Sequence, residues 1–465
     1  MGFKFSSVIS WTLIFVMFLV TSSCATYNSK SIAFQTKLQE GDIDAAIASI
    51  EKNKFLLKGR NKLLYLLEKG KLSYLKGDYK TSNLLFNEAD DLIESNATST
   101  GNQILGTLLN PEKETYKGED FEKVAIHYYK ALNYAFLNQY DEALVEAKRI
   151  NLQLLKFNEK YPKGKKNRYK DDAFAHNLQG LLYEASGDIN NAFIAYRNAV
   201  DLYLQNNGTY MGVSVPDQLK QDVLRTASSM GFTDQVLRYE KKLNTKYKPL
   251  SKNNSEVVVF WENGLVPYKD QTFFTFTVLP GNNVGYVTVV NEELGIDLPL
   301  PINTGGDNKS DFSDLDVFNV AFPKYVSRNA FYNKASLELS GKSYDMQLVE
   351  NYEAIAITTL KDRRFREIGK AALRLAAKKV SQYALKNQNE DLGALLGIFN
   401  AITEGADTRN WQSLPSHIYY SRLPLAKGEN KVIFKSGNAE INQEIKVESR
   451  KGLQFKKVVT PKVYR

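Results

Sequence analysis

A short stretch near the C-terminal end of the chain holds the densest group of side chains that could carry chemistry. Its members are Asp407, Arg409, Trp411 and His417. Charged and aromatic side chains in such a group can form a binding surface for a peptide, a glycan or another polymer. They can equally serve the fold, with an Arg–Asp pair and a buried tryptophan holding a crossover from helix to strand. The sequence favours this structural role.

The common catalytic and metal-binding motifs are missing from the sequence. It contains no His-Glu-x-x-His, no Gly-x-Ser-x-Gly and no Walker loop for phosphate. Four aspartates lie close together at Asp307, Asp311, Asp314 and Asp316. Without EF-hand spacing they predict a solvated acidic loop and not a calcium site. We therefore expect no catalytic residue, metal or cofactor, although the paired carboxylates of a hydrolase would leave no such motif.

The single cysteine, Cys24, excludes an internal disulfide. It is preceded by Lys4, by the apolar run Val8–Val20 and by the small residues Thr21, Ser22 and Ser23. An apolar run of this length is typical of a signal peptide and is short for a membrane-spanning helix. The pattern resembles the lipobox of bacterial lipoproteins, except that Thr21 takes the place of the usual aliphatic residue three positions before the cysteine.

This resemblance implies a lipoprotein signal peptide at residues 1–24, lipid on Cys24 and a location in the bacterial cell envelope. Ala25, directly after the cysteine, favours the outer membrane. Ordinary cleavage after Ala25 and an uncleaved anchor are the alternatives. The net charge of +9 is modest for 465 residues and permits contact with anionic lipid. Nucleic acid is not expected as a partner of an exported chain.

Four turn signals between about residues 30 and 245 indicate a repeated pair of helices. They are Gly41-Asp42-Ile43, Gly77-Asp78-Tyr79, Asn138-Gln139-Tyr140 and Gly187-Asp188-Ile189. Small and aromatic residues flank each signal at offsets that resemble tetratricopeptide repeats. A fifth, weaker unit is predicted from Asp217 to Leu243, with its turn at Gly231.

The repeat pattern also predicts which residues allow helices to approach closely and which fill the gaps between them. These are Gly41, Ala46, Gly70, Gly77, Phe86, Ala143, Gly180, Tyr183, Gly187, Ala192, Tyr196 and Ala199. His127 and His176 occupy one repeat position and are interpreted as packing residues. The basic segment Lys160–Lys170 is interpreted as a solvated turn, with anionic lipid or polymer as alternative ligands.

The hydrophobic period changes from helical to strand-like near residue 254. Phe274, Phe276 and Val278 alternate with threonines, which is typical of a strand. We therefore predict an α + β chain, with a helical solenoid at residues 25–250 and a sandwich-like β-rich module at 251–465. An apolar stripe from Ile368 and a run at Leu392–Ile402 predict a helical hairpin inserted at about residues 350–404.

Two segments of the β-rich module carry a resemblance to a known family. They are Glu262–Pro267 (ENGLVP) and Ala406–Pro415 (ADTRNWQSLP). With the lipobox and the repeats, they are similar to a family of uncharacterised bacterial lipoproteins that join tetratricopeptide-like repeats to a C-terminal β-rich module. The resemblance implies an architecture and a location over nearly the whole chain, and it implies no reaction.

These features lead to three hypotheses for the function. The first is an envelope lipoprotein that acts as a protein-interaction scaffold, with the groove of its stacked repeats binding an envelope protein. The second is a surface lipoprotein that captures a glycan or nutrient, with Trp411 in the binding surface. The third is a hydrolase of an envelope polymer, which requires a cleft holding two carboxylates about 5–10 Å apart.

Overall fold

The computed structural model describes most of the chain. The described residues are 27–98, 114–159, 168–249, 255–280, 286–293, 295–301, 316–364, 368, 405–436 and 439–464. The signal peptide with Cys24, the aspartates at 307–314 and the basic residues at 160–167 lie outside these ranges. So does the expected helical hairpin beyond residue 364, apart from Ile368 and including Leu392–Ile402.

Helices form five consecutive pairs in the described part of residues 27–243. In chain order the pairs are α1 (Tyr27–Gln39) with α2 (Ile43–Glu51), α3 (Lys62–Lys76) with α4 (Tyr79–Thr98), α5 (Asp120–Phe136) with α6 (Tyr140–Glu159), α7 (Ala173–Ala185) with α8 (Ile189–Gln205), and α9 (Asp217–Ser229) with α10 (Thr233–Leu243). A short 3-10 turn, Gly59–Asn61, precedes α3. Each turn signal lies between the two helices of one pair, so the prediction of a tetratricopeptide-like helical region is confirmed.

The backbone turns sharply where the first helix of a pair ends. Gly77 has a left-handed φ of 88° after α3, and its N–H reaches back to carbonyls of the last helical turn. Asn138 takes the equivalent place after α5 with a φ of 60°, because asparagine tolerates this conformation better than most side chains. Asp188 then caps α8 by accepting the Asn191 N–H at 3.0 Å. The Gly-Asp signal thus ends one helix and begins the next.

Paired helices approach closely where a glycine meets an aromatic ring. A Cβ atom at Gly70 would lie 2.7 Å from the Phe86 ring, and one at Gly180 would lie 2.3 Å from the Tyr196 ring. Both distances are shorter than real Cβ contacts, so a side chain at either position must displace the ring. The small residues expected between helices are all buried, namely Ala46, Ala143, Ala192 and Ala199. Tyr183 is only half-buried and lies under the Lys148 ammonium.

Strands after residue 254 form three four-stranded sheets in the described chain. The first sheet has the order β10 (Gln347–Asn351), β11 (His417–Pro424), β3 (Ser255–Asn263) and β14 (Gly452–Thr460). The second has the order β13 (Ala439–Glu448), β12 (Glu429–Ser436), β8 (Ala335–Leu339) and β9 (Lys342–Asp345). The third has the order β6 (Ile296–Pro301), β5 (Tyr286–Asn291), β4 (Tyr268–Pro280) and β7 (Asp316–Val326).

Strand β3 is buried on both faces. Val258 and Phe260 belong to the large hydrophobic core of the repeats, whereas Val257, Val259 and Trp261 belong to a second core shared with the second sheet. Alternate residues of a strand point to opposite faces, so a strand between two cores must be apolar almost throughout. The largest core therefore extends across residue 250, the expected boundary between the two regions.

One strand pair of the β-rich module is parallel, whereas the other pairs in the described sheets are antiparallel. β14 runs parallel to β3 over its whole length, from Gly452 opposite Ser255 to Thr460 opposite Asn263. The sequence also did not predict the small hairpin of β1 (Thr209–Tyr210) and β2 (Val213–Ser214) between α8 and α9. Residues 352–364 of the expected insertion are helical.

None of the described helices is both long enough and apolar enough to cross a bilayer.

Candidate functional site

The inner face of the repeat array is formed by the first helix of each pair, and the chain's own C-terminal module covers it. Strands β3, β11 and β14 contribute Phe260, Tyr420 and Phe455 to the hydrophobic core of the repeats. Residues 405–416, here called the crossing segment, contact α1, α3 and α5. The groove that the first hypothesis left open for a partner is therefore occupied from within the same molecule.

Trp411 lies at the centre of the crossing segment. Its side chain has no exposed surface (0%) and packs between the rings of Phe86 and Tyr129, with centroids 5.5 and 5.8 Å away. The indole N–H donates to the Ser413 hydroxyl at 3.0 Å. The ring is thus fully enclosed and has its hydrogen bond satisfied, as expected for a structural tryptophan.

Two buried glutamates of the repeats bind the backbone of the crossing segment. Glu68 on α3 accepts the N–H groups of Gln412 and Ser413 at 2.8 and 3.2 Å. Glu122 on α5 accepts the Trp411 N–H at 2.7 Å. Burial raises the pKa of Glu68, and burial together with Glu119 raises the pKa of Glu122 to about 7. Backbone N–H groups of an extended segment that pairs with no strand need other acceptors, and these two carboxylates supply them.

Arg409 joins the crossing segment to the loops before α3 and α5. Its guanidinium forms a two-pronged pair with Asp407, at 2.8 and 2.7 Å. It also donates to the Asn61 side chain at 2.8 Å and to the Glu114 carbonyl at 3.0 Å. Planar donors of this kind suit several acceptors at once, and only 1% of Arg409 is exposed.

The structure places the possible binding surface of the sequence analysis in the crossing segment, with Asp407, Arg409 and Trp411, and at the start of β11, with His417. Arg409 and Trp411 are inaccessible to a ligand, and the half-buried His417 ring lies 2.9 Å from the Ser416 hydroxyl. Burial lowers the pKa of His417. The contacts match the structural interpretation, in which an Arg–Asp pair and a buried tryptophan hold a crossover. A glycan cannot stack on Trp411, which removes the residue on which the second hypothesis depended.

A buried ion pair links α3 to β3. Lys71 pairs with Glu262, and the Lys71 ammonium lies 3.9 Å from the centroid of the Tyr129 ring. Burial lowers the pKa of Lys71 to about 8, although Glu262 opposes this shift. Nearby, burial lowers the pKa of Lys457 on β14 to about 7, and its ammonium lies 3.6 Å from the centroid of the Tyr74 ring. These two lysines bind the strands to the inner face of the second repeat.

A second charged cluster joins the last two repeats to β11. Arg422 lies 2.7 Å from Glu184 on α7 and 3.1 Å from Asp222 on α9, and it also pairs with Glu256 on β3. Arg225 binds the same Glu184 at 2.5 Å. Although burial acts against it, the two arginines hold the pKa of Glu184 well below its usual range. The module is therefore attached by charge at the second repeat and at the last two repeats.

A polar pocket of about 200 Å³ lies beside the crossing segment, at the start of α5. Glu119 in its wall pairs with Lys269 and Arg363, and against the effect of burial these cations lower its pKa to about 2. Asp407 in the same wall is bound by Arg409. Glu119 and Asp407 are thus engaged by cations, which does not suit the proton donor that a hydrolase requires. Glu114 also lines the pocket, which can hold a small polar ligand, and neither cation-bound carboxylate supplies the acid of the third hypothesis.

Two carboxyl groups meet where α7 adjoins β10. Asp172 caps α7 by accepting the Ala175 N–H at 2.8 Å, and it accepts the Tyr169 hydroxyl at 2.6 Å. Burial and the neighbouring Asp172 raise the pKa of Glu350 well above its usual range, and burial also raises the pKa of Asp172. A protonated Glu350 can donate to Asp172 and so connect the strand to the helix.

The two histidines of the repeats lie in charged clusters between helices. His127 Nδ1 is 2.8 Å from Glu146 Oε2, and Lys130 lies 3.0 Å from the same carboxylate. His176 Nε2 is 3.1 Å from Asp171 Oδ1. Across the described ranges, no three His, Cys, Asp or Glu side chains converge as a metal-binding set.

The fold defines a class of protein, a tetratricopeptide-like array that carries its own β-rich module on its inner face. Among solved structures, MamA (residues 41 to the end) from Desulfovibrio magneticus RS-1 is 15% identical, with 45% of this chain and 87% of that chain covered at a TM-score of 0.28. The apo form of RapI is 12% identical, with 46% and 52% covered at a TM-score of 0.35.

The Rap conjugation gene regulator of plasmid pLS20, solved with the Phr* peptide, is 13% identical, with 46% of this chain and 51% of that chain covered at a TM-score of 0.28. No family model and no curated protein matches the chain. The similarities extend over less than half of this chain and do not include a function for it.

Proposed function

We propose that this chain is a lipid-anchored protein of the bacterial cell envelope and acts as a protein-interaction scaffold whose partners bind outside the repeat groove. The observation that carries the proposal is the occupied inner face of the repeats, where Trp411 and Arg409 are fully enclosed. Tetratricopeptide-like repeats commonly bind partners. Here the module fills the groove, so binding falls to the outer helices.

The outer surface of α6 has the character of such a binding region. Val145, Leu152 and Leu155 leave 54%, 56% and 56% of their surface exposed. Their spacing of seven and three residues places them on one side of the helix. Exposed aliphatic side chains that line up in this way mark protein contacts more often than single exposed residues do. We therefore assign the envelope-protein partner to the outer face of α6.

Cross-linking in the native cells, followed by affinity purification, tests the scaffold. We expect specific envelope proteins to be recovered with the wild type and lost with Leu152→Glu/Leu155→Glu. Leu237→Glu is the matched control, because Leu237 is a similarly exposed leucine on α10. Equal recovery with all three proteins would show that α6 is not the binding face, and recovery of no envelope protein would remove the scaffold proposal.

The membrane anchor has its own test. Cys24→Ala should remove the lipid and release the folded protein from membranes, because nothing in the described helices can span a bilayer. Fractionation of both proteins, with the intact mass of the mature N-terminus, measures this. A wild-type chain that begins elsewhere, or that carries no lipid on Cys24, would contradict the anchor and with it the outer-membrane location.

A further inference from the structure

The loop between the first and second helix pairs is strongly basic. Residues 52–62 include five cations and no acidic residue, namely Lys52, Lys54, Lys58, Arg60 and Lys62. All four lysines are exposed. Between them, Leu57 leaves 55% of its surface in solvent. An exposed leucine among lysines is a combination suited to the interface of a membrane, where the cations meet head groups and the apolar chain enters the bilayer.

This loop is held directly against the start of α1. The Phe55 ring stacks on the Tyr27 ring, with centroids 5.7 Å apart. The Asn53 side chain donates to the Lys30 carbonyl at 2.8 Å, and Lys30 adds a further exposed cation. Cys24 precedes Tyr27 by three residues, and three residues span at most about 11 Å. A lipid on Cys24 would therefore bring residues 52–62 to the membrane surface.

The positive charge of this loop is largely unbalanced. Lys62 pairs with Glu88 at 2.6 Å, and the neighbouring Glu51 is engaged by Lys69 at 2.9 Å. Among the described residues, no carboxylate lies within ion-pair distance of Lys52, Lys54 or Lys58. These three ammonium groups remain available to anionic phosphates, and clusters of four to eight cations next to an anchor are typical of binding to acidic lipids.

We propose that residues 52–62 form a docking surface for an anionic lipid bilayer, with Lys52, Lys54 and Lys58 binding head-group phosphates and Leu57 entering the interface. The inference rests on the proposed function in one respect, that lipid on Cys24 holds this side of the molecule against the membrane. It adds a second, electrostatic contact, which sets the orientation of the repeats on the bilayer.

Vesicle binding by the mature chain without its lipid, beginning at Ala25, tests the proposal. We expect sedimentation with vesicles containing phosphatidylglycerol and not with phosphatidylcholine alone, and loss of binding in high salt. Lys52→Glu/Lys54→Glu/Lys58→Glu should weaken binding by about 100-fold or more. The control Lys427→Glu/Lys431→Glu/Lys446→Glu changes the net charge equally, on the second sheet and the turn before β12, and should bind like the wild type. Thermal unfolding of each variant confirms that it is folded.

Several outcomes decide the proposal and separate it from that of the lipid anchor. Equal weakening by both triple variants would indicate a response to net charge alone, and equal binding to both kinds of vesicle would exclude recognition of anionic lipid. A loop variant that binds vesicles normally but loses an acidic protein in cross-linking would assign the loop to a protein. If Cys24 carries no lipid and the loop still binds anionic vesicles, the anchor proposal fails and this one stands. If Cys24 is acylated and the loop binds no vesicles, the anchor proposal stands and this one fails.

Discussion

Buried polar and charged side chains hold the crossing segment and strand β3 against the repeats. Glu68 and Glu122 accept backbone N–H groups of residues 411–413, and Lys71 pairs with Glu262 out of contact with water. A buried charge without its partner is strongly destabilising, so each of these groups requires the other side of the interface. Hydrogen bonds and ion pairs, together with complementary shape, therefore fix the position of the module on the repeats.

Removing one member of the Lys71–Glu262 pair should destabilise the folded protein. Lys71→Met leaves the Glu262 carboxylate buried without its cation, and we expect the free energy of unfolding to fall by about 3–5 kcal/mol. Urea denaturation followed by circular dichroism measures this change. The double variant Lys71→Met/Glu262→Leu should recover part of the loss, because neither member of the pair then remains, while Lys457 loses the attraction of Glu262 and the repulsion of Lys71. A double variant as unstable as the single one would contradict the role of the pair.

The pairing of Glu350 with Asp172 should make stability depend on pH. The pKa of Glu350 is raised in the folded protein above its unfolded value of about 4.3. The stability that the raised pKa of Glu350 contributes is therefore complete below the unfolded pKa, and it is lost as the pH rises through the folded-state pKa. Glu350→Gln keeps a donor facing Asp172 and does not titrate. We expect the variant to lose less free energy of unfolding than the wild type as the pH is raised from 5.

Denaturation curves of the two proteins over a series of pH values give this difference. The other titratable groups around Glu350 and Asp172 are the side chains of Asp171 and His176 and the phenols of Tyr169, Tyr203, Tyr210 and Tyr352. Burial raises the pKa of each phenol, and all six groups are common to both proteins. If the free energies of the two proteins change in parallel with pH, Glu350 does not carry the effect.

The helix pairs could be predicted from local sequence, because their turns depend on neighbouring residues. Gly77 and Asn138 end helices where only left-handed backbone fits, and Asp188 caps the helix that follows. The parallel pairing of β14 with β3 could not be predicted in this way, since it joins residues about 200 positions apart. The occupied groove was missed for the same reason.

One local signal in the sequence does point to the interface. Glu68 and Lys71 lie three residues apart on α3, on the same side as Leu64. A charged residue at an apolar position of a helix must have a buried partner or reach solvent. In the structure both side chains are buried and bind Gln412 and Glu262. Such interruptions of an apolar stripe identify where another part of the chain packs, but not which part.

The close approach of helices in the fourth pair should not tolerate a methyl group. Gly180→Ala places a Cβ atom 2.3 Å from the Tyr196 ring, and we expect a loss of about 1–3 kcal/mol from overpacking. Gly59→Ala is the control, because no atom lies within 4 Å of a Cβ at that position. Thermal melting compares the two variants. A Gly180→Ala protein as stable as the wild type would show that the ring can move without cost.

The shared core implies that the repeats and the strands unfold together. Trp411→Ala removes a ring enclosed by Phe86 and Tyr129, and we expect a loss of about 3–5 kcal/mol of stability. Hydrogen exchange should become faster in both α3 and β3, although only one residue has changed. Phe273→Ala, which removes an exposed ring, should leave exchange in both elements unaltered. Faster exchange confined to one element would show that the two regions unfold separately.

The contacts of the crossing segment also determine when the repeats can finish folding during synthesis of the chain. Glu68 binds Gln412, which is made 344 residues later. At roughly 5–20 residues per second, the inner face of the second repeat waits about 20–70 s for the residues that cover it. During that interval its apolar side chains and unpaired charges are open to other chains. The same closure that stabilises the finished protein therefore makes the unfinished one prone to aggregate, and a factor that holds nascent chains would act on the repeats in this period.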